Sequence, residues 1–488
     1  MMTEDTQILF ETGAKEEIGI VDEPLEKRGE DSLKIKKYSN ALVTFIKNSL
    51  TPMTIGIQGS WGSGKTSLLN TIYAQLDDAN EHVDSKDFKI IWINSWENSL
   101  MATPEEALIK IINEIINGLN EVDPSLTNIQ KVKDAATVAA KGILRVGAGI
   151  LGGQTGGQVV TEVLESTNSI KQLREQLSQL VNAIRESNSQ RVDKIVIFVD
   201  DLDRVDPPEA VKILELLKNI FNIPGCIFVL AIDYDVVIKG LKDKFGERTP
   251  ENEYEFRAFF DKIIQLPFTM PVNDYDLGDY VKDLLRQIKY TPESVELDDD
   301  LLEELVVDSI GTNPRAIKRL INNLCLIKIL TDQKIKEDVD ELLGNENQAT
   351  IMFALVCLQV AFPDIYNLLN NYPDFWNWNE AVAARVTHKK ETKPPYDDFE
   401  EDFKASCESD NKDFDEEWEK ALFRITYINP KERPRVGRIS RFMSTILEDV
   451  LKSDDYKDNS TKLNELLKLI TKGLTQTSVT SVSSSEAN

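Results

Sequence analysis

Short runs of apolar residues recur through the first 270 positions, and longer amphipathic stretches separate them. The runs cover residues 54–58, 88–93, 195–199, 227–232 and 262–267. Continuous runs such as 195–199 are typical of strands that are buried on both faces of a sheet. The stretches between the runs predict helices, among them 34–47, 104–119, 170–186 and 208–221. Strands that alternate with helices predict an α/β fold, in which helices cover both faces of a parallel sheet.

The pattern becomes purely helical after residue 271. Apolar positions at helical spacing predict successive helices at 277–287, 298–310 and 313–331. We therefore expect a core at 21–271, followed by a helical lid at 272–333.

The last third of the chain differs in composition from the rest. Residues 334–474 predict a mostly α-helical C-terminal domain, with a helix near 348–360 and a tryptophan pair, Trp376 and Trp378. The highly acidic segment 391–417 is typical of a solvated loop or insertion. The Ser- and Thr-rich tail 475–488 is expected to be disordered, and residues 1–20 to form a flexible arm.

Length and charge narrow the classes of function. A chain of 488 residues is too long for one ordinary core, so two or three domains are expected. The formal net charge of −27 opposes long-range attraction to nucleic acid or to anionic lipid, although a local basic patch could still bind either one.

Cysteine and histidine are too few and too scattered for common metal centres. Four cysteines lie far apart and the chain has two histidines, so a zinc site is not expected. Reduced thiols in a cytoplasmic protein fit this usage, and the acidic first residues contain no apolar stretch like that of a secretory signal.

A phosphate-binding loop follows the first predicted strand. Its pattern is a glycine, four residues and then Gly-Lys-Thr, and with the next serine it comprises Gly59, Ser60, Trp61, Gly62, Ser63, Gly64, Lys65, Thr66 and Ser67. Glycines let backbone N–H groups approach phosphate oxygens, and the following helix directs its N-terminus at the anion. Lys65 is expected to reach the β- and γ-phosphates of ATP, and the Thr66 hydroxyl to ligand Mg²⁺.

Adjacent acids follow the buried run 195–199. Carboxylates at the carboxyl end of a central strand lie where open α/β sheets bind ligands. We assign Asp200 to Mg²⁺ and Asp201 to the attacking water as a general base. Capping of the next helix is a better explanation for Asp206, which precedes two prolines and a glutamate.

Three further residues are candidates for the same site. Arg204 is either a structural ion-pair partner or a charge stabiliser for a phosphate, in its own or a neighbouring subunit. Asp233 ends the next strand, where it could sense the γ-phosphate or hold the water. Arg315 begins a lid helix, from which it could couple hydrolysis to lid motion.

Taken in order, these motifs resemble those of the KAP family of P-loop NTPases. The resemblance covers roughly residues 20–330 and rests on Asp22-Glu23-Pro24, the loop with its internal Trp61, Asn94-Ser95-Trp96, Asp200 to Arg204 with Pro208-Glu209, the run 228–233, the run 262–268 and Asn313-Pro314-Arg315. It implies an ATPase of the branch with an additional strand between the two nucleotide motifs, which includes AAA+ proteins and signalling NTPases. Bacterial members of the family are linked to phage exclusion.

Many KAP proteins carry transmembrane helices between the two motifs, and this chain has a glycine- and alanine-rich insert there, at about 131–165. Arg145 and several glycines leave no run of about 20 apolar residues. Gly149, Gly153 and Gly157 nevertheless repeat at the spacing of close helix contacts in membranes. A flexible or oligomer-packing insert is favoured over a membrane-touching, peripheral segment.

The sequence is compatible with two candidate functions. The first is a Mg²⁺-dependent ATPase that acts as a conformational switch or motor, as a homo-oligomer, in phage defence. The second is a nucleotide-gated interaction or scaffold protein with negligible turnover, which recruits a protein partner through its C-terminal region. A P-loop kinase is disfavoured because the acidic pair is better suited to activating water.

Overall fold

The computed structural model describes residues 19–27, 29–81, 88–100, 102–122, 130–138, 157–186, 192–220, 222–343, 346–372, 377–387, 416–427, 429 and 431–446. Several predictions concern residues outside these ranges. They are the arm as far as residue 18, the glycines of the insert before Gly157, Trp376, most of the acidic segment and the tail.

The described residues divide into two compact units. One unit is Glu23–Asp274, and the other combines the residues up to Asp22 with those from Tyr275 onwards. The predicted core boundary at 271 lies three residues from this division.

A parallel five-stranded sheet is the centre of the Glu23–Asp274 unit as far as it is described. Its strands are β1 (Met53–Gln58), β2 (Phe88–Asn94), β3 (Lys194–Asp200), β4 (Cys226–Ile232) and β5 (Leu266–Thr269). The spatial order is β2-β3-β4-β1-β5, and every neighbouring pair is parallel. Strand β4 therefore lies between β1 and β3, as the additional-strand branch requires.

Burial along the strands follows their positions in the sheet. All seven residues of β4 are buried, because strands flank it on both sides and helices cover both of its faces. Strand β5 lies at the edge and alternates between partly buried and exposed positions.

The last predicted strand, 262–267, is displaced in the structure. The Phe260 carbonyl accepts the N–H groups of Ile263 and Ile264 and so continues the preceding helix as a turn. Pairing with β1 begins only where the Gln265 N–H donates to the Thr54 carbonyl, so the strand itself is Leu266–Thr269.

Helices lie before the first strand and between the others, and four of them overlap the predicted stretches 34–47, 104–119, 170–186 and 208–221. They are α1 (Lys36–Asn48), α2 (Lys65–Glu81), α3 (Ser95–Ser99), α4 (Pro104–Asn120), α5 (Gly157–Glu186), α6 (Pro207–Ile220), α7 (Tyr234–Gly240), α8 (Lys242–Phe245) and α9 (Glu253–Asp261). Helix α4 begins with a capping box, in which Thr103 and Glu106 each bond the other's backbone N–H.

The second unit is helical throughout its described residues from Leu277 onwards, apart from connecting loops and a 3₁₀ turn at Arg433–Arg435. Its helices are α10 (Leu277–Gln287), α11 (Asp299–Ser309), α12 (Pro314–Leu343), α13 (Glu346–Ala361), α14 (Pro363–Asn371), α15 (Glu380–Thr387), α16 (Glu417–Tyr427) and α17 (Val436–Thr445). Residues 349–358 of α13 are all buried, so this helix is central to the unit. The predicted boundary at 333 falls inside α12, and the division into lid and C-terminal domain stays a prediction.

Arg438 stabilises the end of a helix within this unit. Its guanidinium donates to the carbonyl oxygens of Val307, Asp308 and Ser309 at 2.8, 2.9 and 2.6 Å. These carbonyls belong to the last turn of α11, where no intrahelical donor remains for them. None of the helices in the described ranges combines the length and the apolarity that a membrane crossing needs.

Gly240 provides a test of the packing between α6 and α7. A Cβ at this position would lie 2.1 Å from the Pro207 carbonyl oxygen and 2.9 Å from Val211 Cγ2. We expect Gly240→Ala to lower the free energy of unfolding by about 1–3 kcal/mol, because the helices must move apart. Urea denaturation followed by circular dichroism measures the change. The exposed neighbour Lys239→Ala is the control, and equal stability of both variants would contradict this packing.

Candidate functional site

The loop between β1 and α2 has the shape of a phosphate cradle. Gly62 and Gly64 adopt φ values of 86° and 93°, which side chains with a Cβ rarely tolerate. A Cβ on Gly59 would lie 2.5 Å from Ser63 Oγ and 2.8 Å from Met270 Cγ. Trp61 stands at the tip of the loop and is 57% exposed. The three glycines are thus required by the backbone and by close packing.

The loop begins beside the end of β4. The Gly59 N–H donates to the Ile232 carbonyl at 3.2 Å. Because all the strands are parallel, their carboxyl ends share one edge of the sheet, and this edge carries the loop, Asp200 and Asp233.

Lys65 points back across the loop and is buried. Its ammonium donates to the carbonyl oxygens of Gly59 and Ser60 at 2.8 and 3.3 Å. It also forms an ion pair with Asp203, with 2.7 Å between Nζ and Oδ2. The side chains of Lys65 and Asp203 are only 7% and 6% exposed. Sequence reasoning gave Asp203 no role.

The side chains of Thr66 and Asp200 are hydrogen-bonded to each other at this edge of the sheet. Asp200 is the last residue of β3 and is buried, and its carboxylate accepts the Asp201 N–H at 2.8 Å. Burial, with the charges of Asp201 and Asp203, raises the pKa of Asp200 to about 6, while hydrogen bonds from the Asp201 N–H and the Thr66 side chain act in the opposite direction.

This pair of oxygen ligands fits Mg²⁺. Protein sites commonly bind this ion through one or two carboxylates and leave the other positions to water and substrate phosphates. The described residues contain no group of three or more His, Cys, Asp and Glu side chains able to hold a metal.

The Asp201 carboxylate contacts Asn94 and Arg204. Its φ is +56°, a left-handed conformation that Asp adopts more readily than most residues. One carboxylate oxygen accepts from Asn94 Nδ2 at 3.1 Å, and the other lies 2.7 Å from Arg204 Nε. Burial raises the pKa of Asp201, although Arg204 opposes that shift.

Arg204 has two partners within its own unit. Besides Asp201, its guanidinium lies over the Trp96 ring, 5.5 Å from the centroid. Of the two predicted roles, the structural ion pair is therefore present, and the role as a phosphate stabiliser stays a prediction.

The remaining predicted site residues have other contacts. Asp233 caps α7, where its carboxylate accepts the Asp235 N–H at 3.1 Å. The Ser67 hydroxyl accepts the Leu25 N–H at 3.0 Å. Arg315 belongs to the other unit, where its Nε lies 2.6 Å from an Asp22 carboxylate oxygen.

The structure thus assembles two groups at the end of β3. Lys65, Thr66, Asp200 and Asp203 form one group, and Asp201, Asn94, Arg204 and Trp96 form the other. A signal for Asn94 existed in the sequence, because it directly follows the predicted strand 88–93. In the structure it is the last residue of β2, and the sheet register pairs it with Asp200.

The raised pKa of Asp200 predicts a pH-dependent stability difference. Because the folded pKa, about 6, exceeds the ordinary value of 3.8, this group contributes most stability when protonated, below about pH 4. That contribution is lost as the pH rises through 6. We expect Asp200→Asn to be more stable than the wild type at pH 7.5, by an amount on the order of 1–3 kcal/mol. The gain should shrink towards pH 4.

Urea denaturation at pH 7.5, 6 and 4.5 measures this difference. Asp206→Asn is the control, since it removes the same charge from an exposed position six residues further along the chain. A gain for Asp200→Asn that does not change with pH would contradict the assigned burial.

Comparison with known proteins agrees with this geometry. Residues 35–330 match the KAP family P-loop domain. The phage T7 exclusion protein of Escherichia coli strain K12 is 25% identical over 314 residues, which are 56% of this chain and 38% of that protein. The chain thus spans well under half the length of that relative.

Solved structures show weaker similarity. The Aeropyrum pernix ORC2 protein aligns with a TM-score of 0.32 and 12% identity, over 95% of this chain and 98% of its own. Drosophila ORC bound to GC-rich DNA and Cdc6 aligns with a TM-score of 0.30 and 11% identity, over 90% of this chain and 69% of its own. Such low scores support no argument, so the fold class rests on the strand order and the family match. Since that match covers well over half of its residues, the chain belongs to the KAP family of P-loop NTPases.

Proposed function

We propose that this protein is a Mg²⁺-dependent ATPase that uses ATP binding and hydrolysis as a conformational switch. The observation that carries the proposal is the meeting of Thr66 and Asp200 beside the buried Lys65. Lys65 and Thr66 begin the helix that follows β1 and the loop, and Asp200 ends β3, which β4 separates from β1 in the sheet. A hydroxyl, a carboxylate and an ammonium in this arrangement suit a metal-bound triphosphate.

Each residue has a distinct part in the proposed reaction. The backbone N–H groups of the loop and the Lys65 ammonium bind the phosphates, and the N-terminus of α2 adds a favourable dipole interaction. Thr66 and Asp200 supply oxygen ligands for Mg²⁺. The ion, when bound, neutralises charge on the phosphates.

Asp201 is the proposed general base. It follows the metal-binding acid directly, and its carboxylate is oriented by Asn94 and Arg204. A carboxylate whose pKa is raised accepts a proton from water more readily at neutral pH.

Removing the ammonium tests nucleotide binding. We expect Lys65→Ala to weaken ATP binding at least about a hundredfold, because the phosphates lose their buried cation. Isothermal titration calorimetry with Mg²⁺ and ATP measures the loss. The single substitution also leaves Asp203 buried without its partner, so the double variant Lys65→Ala/Asp203→Asn is the matched control. ATP binding by both variants at wild-type affinity would exclude this role for Lys65.

Replacing the base separates binding from turnover. Asp201→Asn should bind ATP with nearly unchanged affinity and should hydrolyse it at least about a hundredfold more slowly. Phosphate release under saturating ATP gives the rate, and Asp206→Asn serves as the control. Wild-type turnover by Asp201→Asn would remove Asp201 from the mechanism.

The contacts of Asp201 support an alternative function. A carboxylate already bonded to an amide and a guanidinium must exchange one of them for water before it can act as a base. In this alternative, nucleotide binding sets a conformation, turnover is negligible, and the C-terminal region recruits a partner. Phosphate release measured at several protein concentrations distinguishes the two functions. A steep rise with concentration indicates active oligomers, and a flat rate near zero indicates the passive switch.

A role in phage exclusion is proposed from the relative in Escherichia coli. The proposal includes only what the family domain could contribute, because the match covers 38% of that protein. Phage plating efficiency on a host that expresses the wild type or Lys65→Ala tests it. Equal plating on both hosts would argue against a nucleotide-dependent role in exclusion.

A further inference from the structure

We propose that Asp203 sets the nucleotide affinity of this site by competing with phosphate for Lys65, and that it thereby makes tight binding depend on a divalent cation. The inference rests on the proposed nucleotide site. It concerns a residue that is neither the proposed metal ligand nor the proposed base.

The first observation is that the Lys65 ammonium is saturated. A lysine ammonium has three N–H donors. Its three acceptors here are the Gly59 and Ser60 carbonyl oxygens and Asp203 Oδ2. A phosphate oxygen can therefore bond Lys65 only after one of these acceptors is released.

The acceptors differ in kind. The Gly59 and Ser60 carbonyls are neutral acceptors and belong to the loop itself. Asp203 bears a full charge and is the nearest of the three, at 2.7 Å. A carboxylate and a phosphate oxygen are both anionic acceptors, and an ammonium takes either as a charge-assisted partner. Asp203 is therefore the acceptor that a phosphate replaces.

Asp203 is fixed in place. It lies in the 3₁₀ turn Leu202–Arg204, which the Arg204 N–H closes by donating to the Asp201 carbonyl. Leu202, which begins the turn, and Val205, which follows it, are 0% and 3% exposed. Two buried apolar anchors hold the backbone, so the flexible Lys65 side chain is the part that moves in the exchange.

The exchange leaves a buried negative charge behind. Once Lys65 turns to phosphate, the Asp203 carboxylate has lost its cation, and Asp203 already raises the pKa of neighbouring Asp200. An uncompensated charge in a buried position is strongly unfavourable. A divalent cation beside Asp200 offsets it electrostatically, so nucleotide without metal should bind poorly because of Asp203.

The test compares nucleotide affinity with and without metal. The wild type, Asp203→Asn and Asp206→Asn are titrated with a fluorescent ATP analogue, once in EDTA and once in excess Mg²⁺. We expect Asp203→Asn to bind about tenfold to a hundredfold more tightly than the wild type in EDTA. The gain should be smaller in Mg²⁺, and Asp206→Asn should match the wild type in both buffers.

The binding results that would contradict this proposal can be told apart. Unchanged or weaker binding by Asp203→Asn in EDTA overturns the competition. Weaker binding in Mg²⁺ alone makes Asp203 a metal ligand and also overturns it. If the wild type binds no nucleotide in Mg²⁺, the proposed function itself fails, and this inference fails with it. Should Asp203→Asn not fold, Asp203→Ser removes the same charge with a smaller polar side chain and is interpreted in the same way.

Discussion

The insertion of β4 between β1 and β3 is the constraint on which the site depends. The carboxyl ends of parallel strands share one edge of the sheet, so the phosphate loop after β1 and the acids after β3 lie at the same edge. Strand β4 separates them by the width of one strand, and the Gly59 N–H bonds the Ile232 carbonyl at its end. If β1 and β3 lay at opposite ends of the sheet, the loop and the acids would be too far apart to contribute to one site.

Three carboxylates lie within four positions at the end of β3, and such a concentration of charge requires compensation. Each acid has its own. Asp200 accepts a hydrogen bond from the Asp201 N–H. Asp201 accepts one from the Asn94 side chain and forms an ion pair with Arg204, and Asp203 forms an ion pair with Lys65. The shift in the pKa of Asp200 shows that the compensation is incomplete there. A buried acid whose pKa is raised in this way lowers the stability of the folded protein at neutral pH, and such acids are common at functional sites.

Much of this arrangement follows from the sequence. Continuous apolar runs predicted β1, β3 and β4, because strands buried on both faces leave no polar alternation. The glycine pattern indicated the loop, and the family match shows a P-loop domain over residues 35–330. The edge strand β5 was displaced because a helix-ending turn at Phe260 uses up the first residues of its apolar run. Asp203 escaped notice because the direction of its side chain depends on the left-handed backbone of Asp201, and no periodic pattern encodes that. Arg315 forms an ion pair with Asp22, nearly 300 positions away in the chain, which no local pattern could predict, and its role at the nucleotide stays a prediction.

Trp61 has a practical consequence for anyone who works with this protein. An indole that is 57% exposed at the tip of a phosphate loop changes its solvent contact whenever the loop changes shape. The other tryptophans in the described residues range from Trp378, at 2% exposure, to Trp96, at 36%, so Trp61 is the most exposed of them. Its emission therefore reports on the solvent contact of the loop tip, and replacing it with phenylalanine identifies its share of the total fluorescence.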